Sequence, residues 1–389
     1  MKHVARQKKV LTIFATRPEV IKLAPIIHEL DGDGIKVFNV ASGQHKEILY
    51  PFINLFGVRI DCDLQILQLN QTPNQVCSRV LAELDPVLSK EKPALLLVQG
   101  DTTTALAGAL GAFYQQIPIA HVEAGLRSGN SRSPYPEEMN RRLISRLATY
   151  HFAATSNNRN VLLAEGVDRA RIFVTGNPVV DSLHAILKGS KPSLDLAQVL
   201  EATKSLKRVI LTTHRRESFG TTMVENLNVI RQFTDQHEDL ATIFPVHPNP
   251  AVAVPAQEIL GDHPRIHLIP PLNYSDFIVL LSHAWIIVSD SGGVQEEVPT
   301  LGKPLLILRE NTERSEALES GVAKLVGGDP KKLAKMLKEA HQSDSWVYRV
   351  RTVSNPFGRG DSARQICKII VRLLNTEETH ENHQQAANA

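Results

Sequence analysis

The sequence predicts an α/β protein made of two doubly wound, parallel-sheet halves, and three observations predict it. Short, near-continuously apolar runs alternate with helix-length segments along the chain, as strands buried on both faces do. The alternation starts again after a polar, Lys-rich stretch, Lys188–Lys207. A chain of 389 residues is also too long for one compact core, so two domains of ordinary size are expected.

In the first half the expected strands are Val10–Phe14, Ile35–Val40, Ala94–Val98, Ile117–Val122, Tyr150–Ala154 and Ile172–Thr175. In the second they are Val209–Thr213, Ile243–Val246, Ile266–Ile269, Trp285–Ser289, Leu305–Leu308 and Ala323–Val326. Such halves imply a cleft between them, with ligands at the carboxyl ends of the strands. The last helix, Ser362–Leu374, puts Ile366, Ile369, Ile370, Leu373 and Leu374 on one face and is expected to cross back to the first half. The domains are therefore expected to be residues 1–176 with 363–376, and residues 177–362. The His- and Gln-rich residues 377–389 are expected to form a disordered tail.

Bulk properties narrow the function. With 42% hydrophobic and 22% charged residues the composition is globular, and a formal net charge of +2 offers no general attraction for nucleic acid or membranes. Cys62, Cys77 and Cys367 are sparse and fit neither zinc nor thioredoxin spacing, which suits a reducing cytoplasm. The longest apolar runs, such as Phe277–Leu281, are far too short for a membrane span, and Met1–Lys9 lacks the apolar core of a signal peptide. A soluble cytoplasmic protein is expected.

The chain is organised around Trp285-Ile-Ile-Val-Ser-Asp-Ser-Gly-Gly-Val-Gln-Glu-Glu297, a strand broken by Ser291, Gly292 and Gly293 and resumed as a helix. The free N–H groups and positive dipole end of such a helix attract anions, and the glycines let a phosphate reach the backbone. Glu297, about a turn further in, can accept hydrogen bonds from a sugar diol. An ordinary βα turn with dipole-favoured acids reads the same way. Phe14-Ala-Thr-Arg-Pro-Glu-Val-Ile-Lys22 follows the first strand, with Pro18 suited to the first helical position and Arg17 and Lys22 suited to clamping a diphosphate.

Gln99-Gly-Asp-Thr-Thr-Thr104 closes another strand, where Asp101 serves equally well as the N-cap of a helix beginning near Thr103. Glu123 ends an apolar strand, which a scaffold does not require. Glu137 follows Pro136 in a first helical turn, with Arg141 as an i,i+4 ion-pair partner. In the second half, His214, Arg215 and Arg216 form a cationic group after a strand, His247 ends another, and Arg309–Glu316 holds mixed charges. No histidine spacing matches a metal motif.

Taken together these stretches resemble the bacterial UDP-N-acetylglucosamine 2-epimerases of the non-hydrolysing kind. The resemblance runs from residue 10 to 375 through Thr16-Arg-Pro-Glu19 with Lys22, Ser42-Gly-Gln-His45, Gln99–Thr104, His121–Arg127, Pro136–Arg141, Gly176–Asp181, His214–Phe219, Val246–Asn249, Ser289–Glu297 and Thr312–Arg314. It implies a GT-B architecture of two Rossmann-like domains facing a cleft, and a homodimer. It also implies nucleotide-sugar contacts at Arg17, Lys22, Arg141, His214, Phe277, Ser291, Gly292, Gly293, Glu297 and Arg314. Asp101, Glu123 and Glu137 take the place of the catalytic carboxylates, with His214 beside the leaving nucleotide. Gln44, His45 and His247 are similar to positions that hold an activating second UDP-GlcNAc in some bacterial members. Two departures stand out: Ala15 replaces the usual glycine, and Leu272 stands where a polar neighbour of uracil is common.

The implied chemistry is interconversion of UDP-GlcNAc and UDP-ManNAc through UDP and 2-acetamidoglucal, with no redox cofactor. Three rivals share much of the pattern: a hydrolysing relative that releases free ManNAc, a GT-B glycosyltransferase, and a catalytically silent nucleotide-sugar sensor.

Overall fold

The computed structural model describes the backbone of residues 8–387 apart from 44–45, 67, 69, 216–217 and 313, and their side chains outside 46–48 and 377–387. Two parallel sheets are present. The first contains β1 (Lys9–Phe14), β2 (Lys36–Ala41), β3 (Cys62–Asp63), β4 (Leu95–Gln99), β5 (Ile119–Val122), β6 (Tyr150–Ala153) and β7 (Ile172–Val174). Its spatial order is β3-β2-β1-β4-β5-β6-β7. The second contains β8 (Lys207–Thr212), β9 (Leu240–Pro245), β10 (Ile266–Ile269), β11 (Ile286–Ser289), β12 (Leu305–Ile307) and β13 (Ala323–Leu325), in the order β10-β9-β8-β11-β12-β13. The expected strands are all there. The edge strand β3 was not anticipated, because two residues are too few to show a periodicity. The Lys-rich stretch read as a polar divider holds a helix, Leu194–Ala202, seated by buried Leu196 and Leu200.

Each sheet is apolar on both sides because helices cover both. In the first, Leu11, Ile13, Leu96 and Val98 pack with Val80, Leu84 and Leu88 and with the alanines of the helix Thr103–Tyr114. Gly108 lets that helix lie close, since a Cβ there would stand 2.8 Å from Ile13 Cγ2. In the second, Val209, Leu211, Phe244 and Val288 pack with Leu227, Ile230, Leu333 and Leu337.

The chain forms two compact units, one of the residues up to Ser182 and from Phe357 onward, the other Leu183–Pro356. The boundaries lie some residues beyond 176 and before 363 for a local reason. Asn177 N–H donates to the Phe357 carbonyl at 2.7 Å, and Asp181 accepts from Ser362 and Ala363 N–H at 3.3 and 3.1 Å, capping the last helix. That helix, Ser362–Ala387, runs well past the expected end at Leu374. It packs on the helix Arg17–Gly32 and buries Ile366, Cys367, Ile370 and Leu374. The Cys367 thiol, buried and donating to Asp33, is pushed up to about 12.

Strands β5 and β6 place His121 and His151 opposite one another in register, both buried. His121 Nε2–H donates to the Gly100 carbonyl at 2.8 Å. Burial lowers the pKa of His121 to about 3 and of His151 to about 4, so both are neutral in the native state.

Two predictions follow from this packing. Gly125 sits at φ +89°, and a Cβ there would lie 2.3 Å from the Asn158 carbonyl oxygen, so Gly125→Ala should cost roughly 2 to 4 kcal/mol in urea unfolding. For the histidines, the unfolded chain takes up protons near pH 6.5 and the native state only near 3 to 4. Stability should therefore hold above pH 6.5 and fall below it, by up to about 1.4 kcal/mol per pH unit for each histidine. Glu19, whose pKa burial raises to about 7, acts with the opposite sign between pH 4.5 and 7. The comparison is accordingly between wild type and His151→Leu, whose urea midpoint should depend less on pH below 6.5.

Candidate active site

In the first sheet β1 and β4 are neighbours although β2 and β3 follow β1 in the chain, a switch point of the kind at which open α/β sheets bind ligands. The turns after β1, β4 and β5 therefore stand side by side, and they carry the expected groups. Arg17 opens the helix Arg17–Gly32, with Pro18 second rather than first; its exposed side chain makes no ion pair among the described residues. Ala15 is fully buried at a φ open to any residue, so the turn does not need the glycine that the resemblance places there.

Glu123 is the most constrained of these groups. It is a non-glycine residue at φ +66°, a conformation that costs about 1 to 3 kcal/mol and persists where surroundings impose it. Lys22 Nζ meets its Oε1 at 2.6 Å, Asn177 Nδ2 donates to the same oxygen at 3.5 Å, and Gln99 Nε2 donates to Oε2. The Lys22 and Glu123 side chains are only 7% and 10% exposed. Lys22 is thus a carboxylate partner in this structure.

Asp101 is not the helix cap. Thr102 caps the helix Thr103–Tyr114, its Oγ1 accepting from Ala105 N–H at 3.0 Å, which leaves the Asp101 carboxylate free for other contacts. Arg141 Nε and Nη2 both donate to Asp101 Oδ2 at 2.7 Å, and Asn140 Nδ2 donates to its carbonyl at 2.9 Å. The expected pair of Arg141 with Glu137 does not form. Arg141 instead spans Asp101 and Glu138, whose fully buried carboxylate also accepts from Ser128 N–H and Arg142. The buried environment draws the guanidinium to carboxylates it can reach dry, and Glu137, half-buried at the helix start, stays outside this network.

In the second sheet the switch point lies between β8 and β11. Asp290, fully buried, accepts from Thr213 Oγ1 at 2.8 Å and from the backbone N–H of His214 and Arg215 at 3.0 Å each, which ties the two turns together. His214 Nδ1 lies 3.5 Å from Asp290 Oδ1, and the His214 ring stacks on exposed His247 at 6.0 Å between centroids. The helix Gly292–Leu301 begins here with Ser291 as an N-cap whose side chain makes no capping bond, so its first N–H groups lack that partner.

A Cβ on Gly292 would lie 3.2 Å from Arg314 Nη1 and 3.4 Å from Arg215 Nη2, so two guanidinium groups converge on that helix end. Glu296 holds Arg314 at 2.6 Å. At exposed Gly293 a Cβ would meet nothing closer than 3.9 Å; the glycine leaves open backbone rather than filling a packing need. Glu297, buried, accepts from Tyr274 Oη–H at 2.9 Å, and Phe277 follows one turn along the same helix as Tyr274. Gln44, His45 and Arg216 lie outside the described residues.

Sequence reasoning passed over Glu19, Gln99, Glu138, Asn177, Tyr274, Asp290 and Glu296 as site groups. All of them act on other side chains or backbone through contacts that no local spacing reveals. For Gln99, Asn177 and Asp290 the one available signal was an acidic or amide residue within three positions of a strand end; the others gave none.

The family model for UDP-N-acetylglucosamine 2-epimerase matches residues 28–371. The UDP-N-acetylglucosamine 2-epimerase of Salmonella typhimurium is 42% identical over 369 residues, covering 93% of this chain and 98% of the relative. That of Bacillus subtilis is 41% identical over 364 residues, covering 93% and 94%. The crystal structure of the Neisseria meningitidis UDP-GlcNAc 2-epimerase bound to UDP-GlcNAc has a TM-score of 0.85 at 39% identity, covering 94% of this chain and all of that one. Matched along nearly its whole length in both sequence and fold, the chain belongs to the UDP-N-acetylglucosamine 2-epimerase family.

Proposed function

We propose that this chain interconverts UDP-GlcNAc and UDP-ManNAc without hydrolysis, as an isomerase. The observation that carries the reading is the convergence of Arg215 and Arg314 on the uncapped helix end at Gly292. Two cations at the positive end of a helix dipole, one of them already held by Glu296, favour an anion beside them, and a diphosphate supplies that charge. Glu297 and Phe277 are assigned to the nucleoside, and His214 and Arg17 to the diphosphate.

The chemistry explains why this charge matters. The C2 hydrogen of a GlcNAc unit has no adjacent carbonyl and is too weakly acidic for a carboxylate. When the C1–O bond breaks, its electron pair leaves with UDP, and the electron-poor C1 acidifies the C2 hydrogen. Stabilising departing UDP is therefore the first task, and fixed donors do it best. A carboxylate then removes the C2 proton, leaving 2-acetamidoglucal. UDP returns to C1 while a proton is delivered to the opposite face of C2, so nothing is consumed.

Two faces call for two acid/base groups. Asp101 and Glu137 are assigned that work, and Glu123 the orientation of the sugar or stabilisation of the cationic ring. Arg141 then acts by holding Asp101 in place. The resemblance at Gln44, His45 and His247 supports a second UDP-GlcNAc as activator, and the family supports a homodimer. No helix among the described residues is long and apolar enough to cross a membrane, and the reading places the enzyme in the cytoplasm.

Incubation with UDP-GlcNAc in D₂O should yield UDP-ManNAc carrying deuterium at C2, with no stoichiometric release of UDP. Release of UDP with free ManNAc would establish the hydrolysing reaction instead, and binding without exchange would establish a sensor. Asp101→Asn, Glu123→Gln and Glu137→Gln should each slow C2 exchange by about 10²- to 10⁴-fold. Unchanged turnover in all three would overturn the assignment. Arg215→Ala or Arg314→Ala should weaken UDP binding by roughly 10- to 100-fold in calorimetry, as expected for loss of a charge-assisted contact.

A further inference from the structure

Glu19 is an ionisable side chain that the proposed chemistry does not use, yet it is 1% exposed and fully engaged. Its Oε2 accepts from Ala15 N–H at 3.0 Å, from Thr16 N–H at 2.8 Å and from Thr16 Oγ1–H at 2.8 Å. Its Oε1 accepts from Thr102 Oγ1–H at 2.8 Å. The direction of that last bond follows from the cap. Thr102 Oγ1 already accepts from Ala105 N–H, so its hydrogen points to Glu19.

A helix-capping box accounts for a third-position glutamate that bonds back to its own N-cap. It does not account for burial, nor for the second oxygen reaching a different turn. Strands β1 and β4 are paired neighbours, and Glu19 bridges the two turns that leave them. One of those turns carries Arg17, two residues before Glu19; the other carries Asp101, next to Thr102. Three residues further along the same helix, Lys22 grips Glu123. The first two turns of this helix therefore touch both carboxylate-bearing turns, through the Glu19 carboxyl group and the Lys22 ammonium.

We propose that Glu19 is a positioning residue that clamps the Arg17 turn to the Asp101 turn, and so sets where the acid/base carboxylate stands relative to the nucleotide-binding helix entrance. The inference rests on the reading of Asp101 as an acid/base group. Its physical content is specific: the clamp needs an acceptor at both oxygens of residue 19 and a hydroxyl at residue 102. Glu19→Gln keeps the shape but leaves one acceptor oxygen where the clamp has two, so either the Ala15 and Thr16 N–H groups lose their acceptor or the Thr102 hydroxyl must reverse to accept from the amide. Thr102→Val removes the bridge while leaving the capping contacts of Glu19, and Thr102→Ser restores it.

The test measures C2 deuterium exchange with UDP-GlcNAc in D₂O at saturating substrate, together with KM, UDP affinity and thermal melting, for wild type, E19Q, T102V, T102S and E19Q/T102V. A misplaced catalytic group costs on the order of 10²-fold, so E19Q and T102V should each lower kcat by about 10- to 100-fold. For T102V, UDP affinity should stay within about threefold, because the contacts of Glu19 to Ala15 and Thr16 beside Arg17, and the diphosphate donors of the second unit, are untouched. T102S should retain kcat near that of wild type. The double variant should be little worse than the worse single one, since both break the same bond. Additive losses, or lowered melting with kcat intact, would overturn the clamp. Absence of exchange in the wild type would instead overturn the proposed reaction, so the two failures are distinguishable.

Discussion

Electrostatics at the start of the helix Gly292–Leu301 is the constraint on which the second unit depends. Two guanidinium groups stand over an uncapped helix end, where dipole and charges share one sign. Such an arrangement persists because carboxylates behind it hold it. Glu296 fixes Arg314, and Asp290 gathers the hydroxyl and amides of Thr213, His214 and Arg215. The acids are buried and the two arginines are half-buried at the helix end. Gly292 and Gly293 then serve different ends: a side chain at the first would crowd the cations, and at the second it would cover backbone that is now open.

The first unit shows the inverse arrangement. Here carboxylates stand at the centre, and cations and amides hold them. Arg141 reaches Asp101 from one helix, Lys22 reaches Glu123 from another, and Gln99 and Asn177 complete the shell of Glu123. A carboxylate surrounded in this way has few rotamers left. The left-handed backbone of Glu123 belongs to the same design, because the strain is maintained by the contacts that aim its side chain. His121, buried and neutral, adds a bond to the Gly100 carbonyl and so fixes the turn that carries Asp101.

Several details were beyond local reading. Thr102 rather than Asp101 caps its helix, since both residue types are good caps and only the backbone path chooses between them. Arg141 sits at the right spacing for Glu137, but an exposed helix pair is weak, and burial next to Asp101 and Glu138 wins. Glu19 reads as a dipole-favoured acid at a helix start. Its burial and its reach to Thr102 arise from the pairing of β1 with β4, which joins segments far apart in the chain.

The sequence by itself determined the fold class, the strands and the turns that bear chemistry. Each depends on short-range pattern: apolar runs set strands, glycines and prolines set breaks, and the parallel sheet places functional groups at strand ends. Tertiary structure decided which of those groups meet. The order of strands in a sheet is a long-range property, and it alone puts the turns of β1, β4 and β5 together, and those of β8 and β11. Partner choice among charged side chains follows from that neighbourhood and its dryness, because in a buried site an ion takes the nearest group that can compensate it, wherever that group lies in the chain.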